Sequence, residues 1–362
     1  MHGSTDGASR RSRDKEVPDG ACGSASRGSG IADCLASACG SLTGPSKPTK
    51  GNPSMTPEQA RLRLNGAMTA LVTPFSDGEV DLAGLTTLLE WQIEQGINGL
   101  VPCGTTGEAP TLSWEERLDV IARCVKVASG RVPIIVGSGT NNTEATIAFT
   151  AAAEAFGADA ALIVTPYYNK PTQEGIYRHF EAVARKVSIP IIVYNVPART
   201  GVDLLPETIK RLAQVPTIVG IKDATGDLSR PSSLSSALGD RFIQFSGHDS
   251  TSFGFNTVGG RGTISVVSNV APRLCVEMHD ACRAGDHRTA RAIHHRLRPL
   301  IAALELESNP IPVKYALHLA LGLSADVRLP LTPVLPETAD TIREAMLAVR
   351  TTAMSSTRHG LS

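Results

Sequence analysis

From Gly66 onward, short runs of apolar and β-branched residues alternate with longer segments in which apolar positions recur every three or four residues. A short apolar run bounded by turn formers reads as a strand buried on both faces, whereas the longer spacing reads as a helix with one apolar face. Strands are expected at 67–72, 99–102, 133–136, 161–165, 189–194, 218–221, 242–245 and 262–267. Helices are expected at 81–95, 114–128, 143–156, 173–186, 206–213, 229–238, 250–258 and 273–283. Asp81 and Ser113 stand where N-caps belong, and Glu116 follows Ser113 at capping-box spacing. Strand–helix alternation predicts a parallel sheet with crossover helices, and eight repeats within about 220 residues match the size of an α/β (β/α)8 TIM barrel. An open doubly wound sheet is the alternative, but no G-x-G-x-x-G follows the first strand. Further helical patterns at 288–306, 311–322 and 337–349 read as a small C-terminal helical domain. The expected organisation is a disordered N-terminal tail over 1–60, the barrel over 61–285, the helical domain over 286–350 and a flexible end over 351–362.

Gly, Ser, Pro and mixed charges dominate residues 1–60, without apolar periodicity, which is why a tail is expected there. The segment lacks the apolar core of a secretory signal, and Asp6, Asp14, Glu16, Asp19 and Asp33 sit poorly with an acid-poor transit peptide, so a cytoplasmic protein is expected. Met55 lies just ahead of the first periodic segment, so initiation there is an alternative account of the tail. The 35 Lys and Arg residues balance 35 Asp and Glu with no basic stripe, which argues against nucleic acid or an anionic membrane surface as partner. No stretch is long and apolar enough to span a bilayer. Seven scattered cysteines form no C-x-x-C pair, against a zinc site or a disulfide framework and in keeping with a reducing compartment. Small-molecule chemistry remains.

The segment Ile218-Val219-Gly220-Ile221-Lys222-Asp223 carries one lysine near the end of a buried strand. An amine is nucleophilic only when unprotonated, and apolar surroundings favour the neutral form, so Lys222 is a candidate Schiff-base former. On this segment alone, a lysine that snorkels to solvent is an equal reading. In a barrel, reactive groups gather at the C-terminal strand ends. There the chain has Gly104-Thr105-Thr106-Gly107-Glu108, a turn whose hydroxyls and amides suit a carboxylate or simply cap a helix. Thr165-Pro166-Tyr167-Tyr168-Asn169-Lys170-Pro171 is a stiffened loop with two tyrosines. Tyr194 ends the strand before that of Lys222, as core or as proton carrier, and Arg199 offers a fork for a carboxylate or a surface ion pair. In Ser246-Gly247-His248-Asp249, a turn histidine beside an N-capping aspartate is the simpler reading. Adjacent His294 and His295 face different directions and cannot form a metal pair on one helix. No H-E-x-x-H, P-loop or G-x-S-x-G occurs, and Cys103 has no nameable partner histidine.

Taken in order, GTTGE, TPYYNKP, YNVPARTG, GIKDATG, SGHDS and GTISV resemble the dihydrodipicolinate synthase family, and the similarity extends from about Leu64 to Leu347 through NPIPVK and RLPLTP. The resemblance implies a (β/α)8 lyase that condenses pyruvate with aspartate semialdehyde in lysine and diaminopimelate biosynthesis, usually as a homotetramer of two tight dimers. It makes Lys222 the pyruvate-binding lysine and Tyr194 the proton relay, with Thr105 linking Tyr194 to a Tyr168 supplied by the neighbouring subunit. Thr106 would hold the pyruvate carboxylate, Arg199 that of the semialdehyde, and Gly247 and Ile264 would line the pocket. No metal or organic cofactor is implied. Sister Schiff-base enzymes, such as N-acetylneuraminate lyase and sugar-acid aldolases or dehydratases, are the alternative, and Arg199 discriminates because a second carboxylate needs it. A non-catalytic barrel would be expected to have lost Lys222 or Tyr194. Many members carry a regulatory lysine pocket using a histidine and a glutamate; here Trp114 and Ala145 hold those segments while Asn141 and Tyr167 remain, so weak or absent feedback by lysine is expected. His248 stands where an acidic or amide residue is more familiar, and no role is assigned to it.

Overall fold

In the computed structural model, which describes residues 55–356, every expected strand segment is a strand. They are β1 (Gly66–Ala70), β2 (Gly99–Val101), β3 (Ile135–Gly137), β4 (Ala160–Val164), β5 (Ile191–Asn195), β6 (Ile218–Asp223), β7 (Ile243–Ser246) and β8 (Gly262–Ser265). Each pairs in parallel with its sequence neighbour, β8 returns to β1, and a parallel bridge from Leu100 to Ile134 joins β2 to β3, closing the barrel.

Crossover helices cover the barrel: α2 (Leu82–Glu94), α3 (Trp114–Ala128), α4 (Thr143–Ala155), α5 (Gln173–Ala184), α6 (Pro206–Leu212), α7 (Ser229–Leu238), α8 (Ser252–Thr257) and α9 (Pro272–Arg283). The caps lie where the sequence predicts them. Asp81 accepts the amides of Ala83 and Gly84, and Ser113 and Glu116 exchange side-chain-to-backbone bonds at 3.1 and 2.8 Å. These bonds satisfy amides that a helix start otherwise leaves orphaned. After the barrel come α10 (His287–Leu304), α11 (Ile311–Leu321) and α12 (Pro336–Ser356), the expected C-terminal helices.

At each end the ordered chain reaches further than expected. A preceding helix, α1 (Pro57–Arg63), is set by a Thr56–Gln59 capping box and overlaps the end of the segment assigned to the tail. Met55, Ala60 and Leu64 join the cluster that fills the barrel interior, so α1 stoppers it with apolar side chains. Burial of Leu64 alone is worth roughly 1.5–3 kcal/mol. Residues 351–356, assigned to the flexible end, continue α12. The tail expected over 1–54 and the end over 357–362 lie outside the described residues.

Side chains alternate along the strands between the interior and the helical layer, as the period of two requires. On β5, Ile192 and Tyr194 face inward while Ile191 and Val193 pack outward. On β6 the alternation breaks. Ile191 stands opposite Ile218, yet Ile192 stands opposite Gly220, so Val219 is an extra residue, a β-bulge. Ile218 therefore packs outward, Val219 inward, Ile221 outward again, and Lys222 turns into the barrel opposite Tyr194 and Phe245. Unbroken alternation from Ile218 would have sent Lys222 to the helical layer.

Candidate active site

A cavity of about 240 Å³ opens at the C-terminal ends of the strands, floored by Ala70, Val101, Leu162 and Ile264. Lys222 rises into it. The side chain is 7 % exposed, and its Nζ lies 4.3 Å from the centroid of the Tyr194 ring, where an ammonium meets the negative π face. The bulge that aims it depends on Gly220, because a Cβ there would lie 2.8 Å from Ile243 Cβ and strike the Ile243 carbonyl oxygen.

The loop after β2 brings Thr105 and Thr106 to the cavity wall. Thr106 is only 3 % exposed, and its Oγ1 receives a hydrogen bond at 2.8 Å from the Asn309 side-chain amide. Glu108, on the same loop, is buried against Lys314 with Nζ to Oε1 at 2.6 Å, and each of those side chains is 1 % exposed. Burial lowers the pKa of the Lys314 ammonium below its usual value, and the facing Glu108 carboxylate opposes that shift. Thr73 adds a bond to the Gly107 carbonyl at 2.7 Å. Asn309 and Lys314 flank the start of α11, so one segment of the C-terminal region grips the loop at two points.

Arg199, from a short turn after β5, lies exposed at the mouth of the cavity and has no ion pair among the described residues. Gly247 approaches β6 so closely that a Cβ would sit 2.6 Å from Ala224 Cβ, and its amide bonds the Asp223 carbonyl at 2.7 Å. His248 also lines the cavity, with Nε2 at 3.0 Å from the Ala224 carbonyl oxygen. A carbonyl only accepts, so Nε2 carries the proton and Nδ1 is the nitrogen left for other partners. Asp249 is not the cap of its own turn: Oδ2 accepts the amides of Val266 and Val267, tying the loops after β7 and β8 together. Behind the cavity, Arg230 bonds Asp223 at 3.1 Å and Asp203 at 2.9 Å, and Asn195 bonds Asp203 at 2.8 Å. These charge-assisted bonds hold the strand ends that carry Tyr194 and Lys222.

Seven of the expected site residues, Lys222, Tyr194, Thr105, Thr106, Arg199, Gly247 and Ile264, thus line one cavity. Tyr168 does not. It is 88 % exposed in a left-handed backbone conformation (φ 70°), outside the cavity wall. Cys103 is excluded as a nucleophile, since burial pushes its thiol up to about 12. The residues missed from sequence come from the C-terminal region: Glu305, Glu307, Ser308 and Asn309 complete the cavity rim. The NPIPVK string was their only signal.

The chain matches the model of the Dihydrodipicolinate synthetase family over residues 63–349. It belongs to that family. Its relatives agree: it is 50 % identical to the 4-hydroxy-tetrahydrodipicolinate synthase of Bradyrhizobium diazoefficiens over 288 residues, 80 % of this chain and 97 % of that one. The chloride-inhibited dihydrodipicolinate synthase of Acinetobacter baumannii, solved in complex with pyruvate, is 48 % identical with a TM-score of 0.77, covering 79 % of this chain and 98 % of that one. A monomeric dihydrodipicolinate synthase variant is 42 % identical with a TM-score of 0.78, covering 80 % of this chain and 98 % of that one. Schiff-base lyase chemistry is general to this family, and Lys222 is the lysine that the barrel turns into the cavity.

Within the dihydrodipicolinate synthetase barrel, the segments compared above with a regulatory pocket hold an aromatic stack. The rings of Trp114 and Phe149 are 4.5 Å apart, and the Arg117 guanidinium lies 4.3 Å from the Phe149 centroid. Ala145 presents only a methyl group, and Asn141 contributes its carbonyl to Asn169 at 3.0 Å.

Proposed function

We propose that this protein condenses pyruvate, held as an imine of Lys222, with L-aspartate 4-semialdehyde to form 4-hydroxy-tetrahydrodipicolinate, the first committed step of lysine and diaminopimelate synthesis. The observation that carries the reading is a buried lysine facing Tyr194 in a cavity whose wall holds a threonine hydroxyl and whose mouth holds an unpaired arginine. The Lys222 amine attacks the ketone carbon of pyruvate, and the carbinolamine loses water to give a protonated imine. That imine is the electron sink that lets a methyl proton leave, so no metal or organic cofactor is needed. The resulting enamine carbon attacks the aldehyde, and the semialdehyde's own amine then displaces Lys222 and closes the ring.

Tyr194 serves as the proton relay, with Thr105 beside it, Thr106 receives the pyruvate carboxylate, and Arg199 receives the carboxylate of the semialdehyde. Gly247 and Ile264 supply backbone and apolar wall. Tyr168 completes the relay from a second copy: a large aromatic side chain held in open solvent by a left-handed backbone supports insertion into a neighbour. The assembly on this reading is a tight dimer, paired into a homotetramer, working in the cytoplasm. Free Cys103, Cys124, Cys275 and Cys282 suit a reducing compartment, and no described helix is long and apolar enough to cross a membrane. A sister sugar-acid aldolase has no use for the unpaired Arg199, and for that reason it ranks second.

Intact-protein mass after borohydride reduction with pyruvate tests the reading, wild type beside Lys222→Ala, followed by an assay with aspartate semialdehyde. A pyruvate-sized adduct in wild type alone, with turnover of the semialdehyde, is expected. An adduct without that turnover would transfer the assignment to a sister aldolase, and no adduct would remove the Schiff-base mechanism.

A further inference from the structure

Asn309 lies between α10 and α11, yet its side chain reaches the β2 loop across 203 positions of sequence to donate to Thr106 Oγ1 at 2.8 Å. Both residues line the cavity. A threonine hydroxyl has one proton and two lone pairs, and this contact occupies a lone pair. The Thr106 proton has no acceptor among the described residues, and the side chain is closed to bulk water at 3 % exposure. It is free for an anion in the cavity. The opposite amide orientation would consume it, because Thr106 would then donate to Oδ1. The Asn309 Oδ1 is buried and unpartnered, so the amide is held in the donating orientation by its bond to Thr106 alone. The loop itself does not depend on this bond, being gripped independently through Lys314–Glu108 at 2.6 Å and Thr73–Gly107 at 2.7 Å.

We propose that Asn309 is a positioning residue that, by donating to Thr106 Oγ1, commits the Thr106 hydroxyl proton to the carboxylate of the bound 2-oxo acid. The C-terminal helical region thereby sets the affinity for the first substrate. This rests on the function proposed above, with Thr106 as the carboxylate contact.

The test compares Asn309→Asp and Asn309→Ala, each alone and combined with Thr106→Val. The readouts are kcat, KM for both substrates, and the pyruvate concentration that half-saturates borohydride trapping. Asn309→Asp replaces a donor with a charged acceptor, which captures the Thr106 proton and faces the substrate anion. Its KM for pyruvate and its half-trapping concentration should rise about tenfold or more, the scale of one lost charge-assisted hydrogen bond. Asn309→Ala should raise both by about threefold, with the KM for the semialdehyde within about twofold of wild type in either variant. In the Thr106→Val background, Asn309→Ala should have no further effect, because the atom it acts through is gone. An unchanged KM for pyruvate in Asn309→Asp would overturn the proposal. So would full additivity with Thr106→Val, or equal changes in both KM values accompanied by a lowered melting temperature, which is the signature of a structural role. A wild type that traps no pyruvate would instead remove the function on which the proposal rests.

Discussion

Replacing Lys314 with methionine keeps the side-chain volume and removes a charge that the fold has enclosed. The Nζ donates to Glu108 Oε1 and to the Asp326 carbonyl, both at 2.6 Å, and lies 3.9 Å from the centroid of the Phe75 ring. Glu108 retains one compensating bond, from the Arg328 amide at 3.0 Å, and the Arg328 charge nearby, but loses the cation that hydrogen-bonds it in a site where it is 1 % exposed. Breaking a buried pair by removing one partner costs about 3–5 kcal/mol, most of it the stranded carboxylate. For a chain of this size, that corresponds to a melting temperature lowered by roughly 10 °C. Adding Glu108→Gln removes the stranded charge and should restore most of the loss. Urea midpoints of wild type, both single variants and the double variant, measured at pH 7 and assembled as a double-mutant cycle, provide the assay. The reasoning fails if Lys314→Met costs less than about 1 kcal/mol, or if the double variant is no more stable than Lys314→Met alone.

Acid should destabilise the fold early. Burial lowers His179 to about 4 and His279 to about 3, and the His279 Nδ1, facing the donor Nδ2 of Asn256 at 2.8 Å, must stay unprotonated to accept. Both pKa values are depressed, so the unfolded chain binds more protons below about pH 6.5, and stability falls progressively from there toward pH 4. Urea midpoints at pH 7 and pH 5 should show the drop, and a flat profile would contradict it. Lysine at millimolar concentration should leave the steady-state rate unchanged, since Trp114 supplies no charge and no acceptor for an ammonium and Ala145 only a methyl group; inhibition would refute that expectation. Lys222→Ala mixed with Tyr168→Phe, after subunit exchange, should regain activity in about a quarter of the sites, because only a hybrid dimer can pair a native lysine with a native tyrosine. No recovery after demonstrated exchange would count against Tyr168 acting across subunits.

The barrel was legible because its cues are local. Apolar runs of strand length and helices opened by Asp81 or Ser113 announce themselves within a few residues, and the loops that follow inherit their place at the strand ends. Helix α1 escaped notice because a seven-residue helix that buries Ala60 shows too few apolar positions to reveal a period. The reach of Asn309 to Thr106 and of Lys314 to Glu108 is invisible to any window, since the partners meet only after the C-terminal helices have folded against the barrel. Tyr168 was named from its motif, yet one chain does not contain the surroundings that would give it work. The bulge on β6 was hidden for a further reason: Ile218 to Lys222 reads as an ordinary buried run, and a run apolar on both faces carries no alternation to interrupt.

That extra residue makes the reactive amine a matter of parity. A strand assigns its side chains by odd and even count, and β6 spends one residue, Val219, to change the count before Lys222 is reached. Deleting Val219 would remove the bulge and leave Lys222 in the cavity opposite Tyr194. Keeping Val219 in a strand paired regularly from Ile218 would instead exchange the destinations of Lys222 and Asp223 with no change of composition, setting a carboxylate in the cavity and the amine among the helices. For anyone transplanting the chemistry, the portable unit is the strand with its irregularity, because the segment from Ile218 to Lys222 laid residue for residue on a regular barrel strand would turn its lysine to the wrong side of the wall.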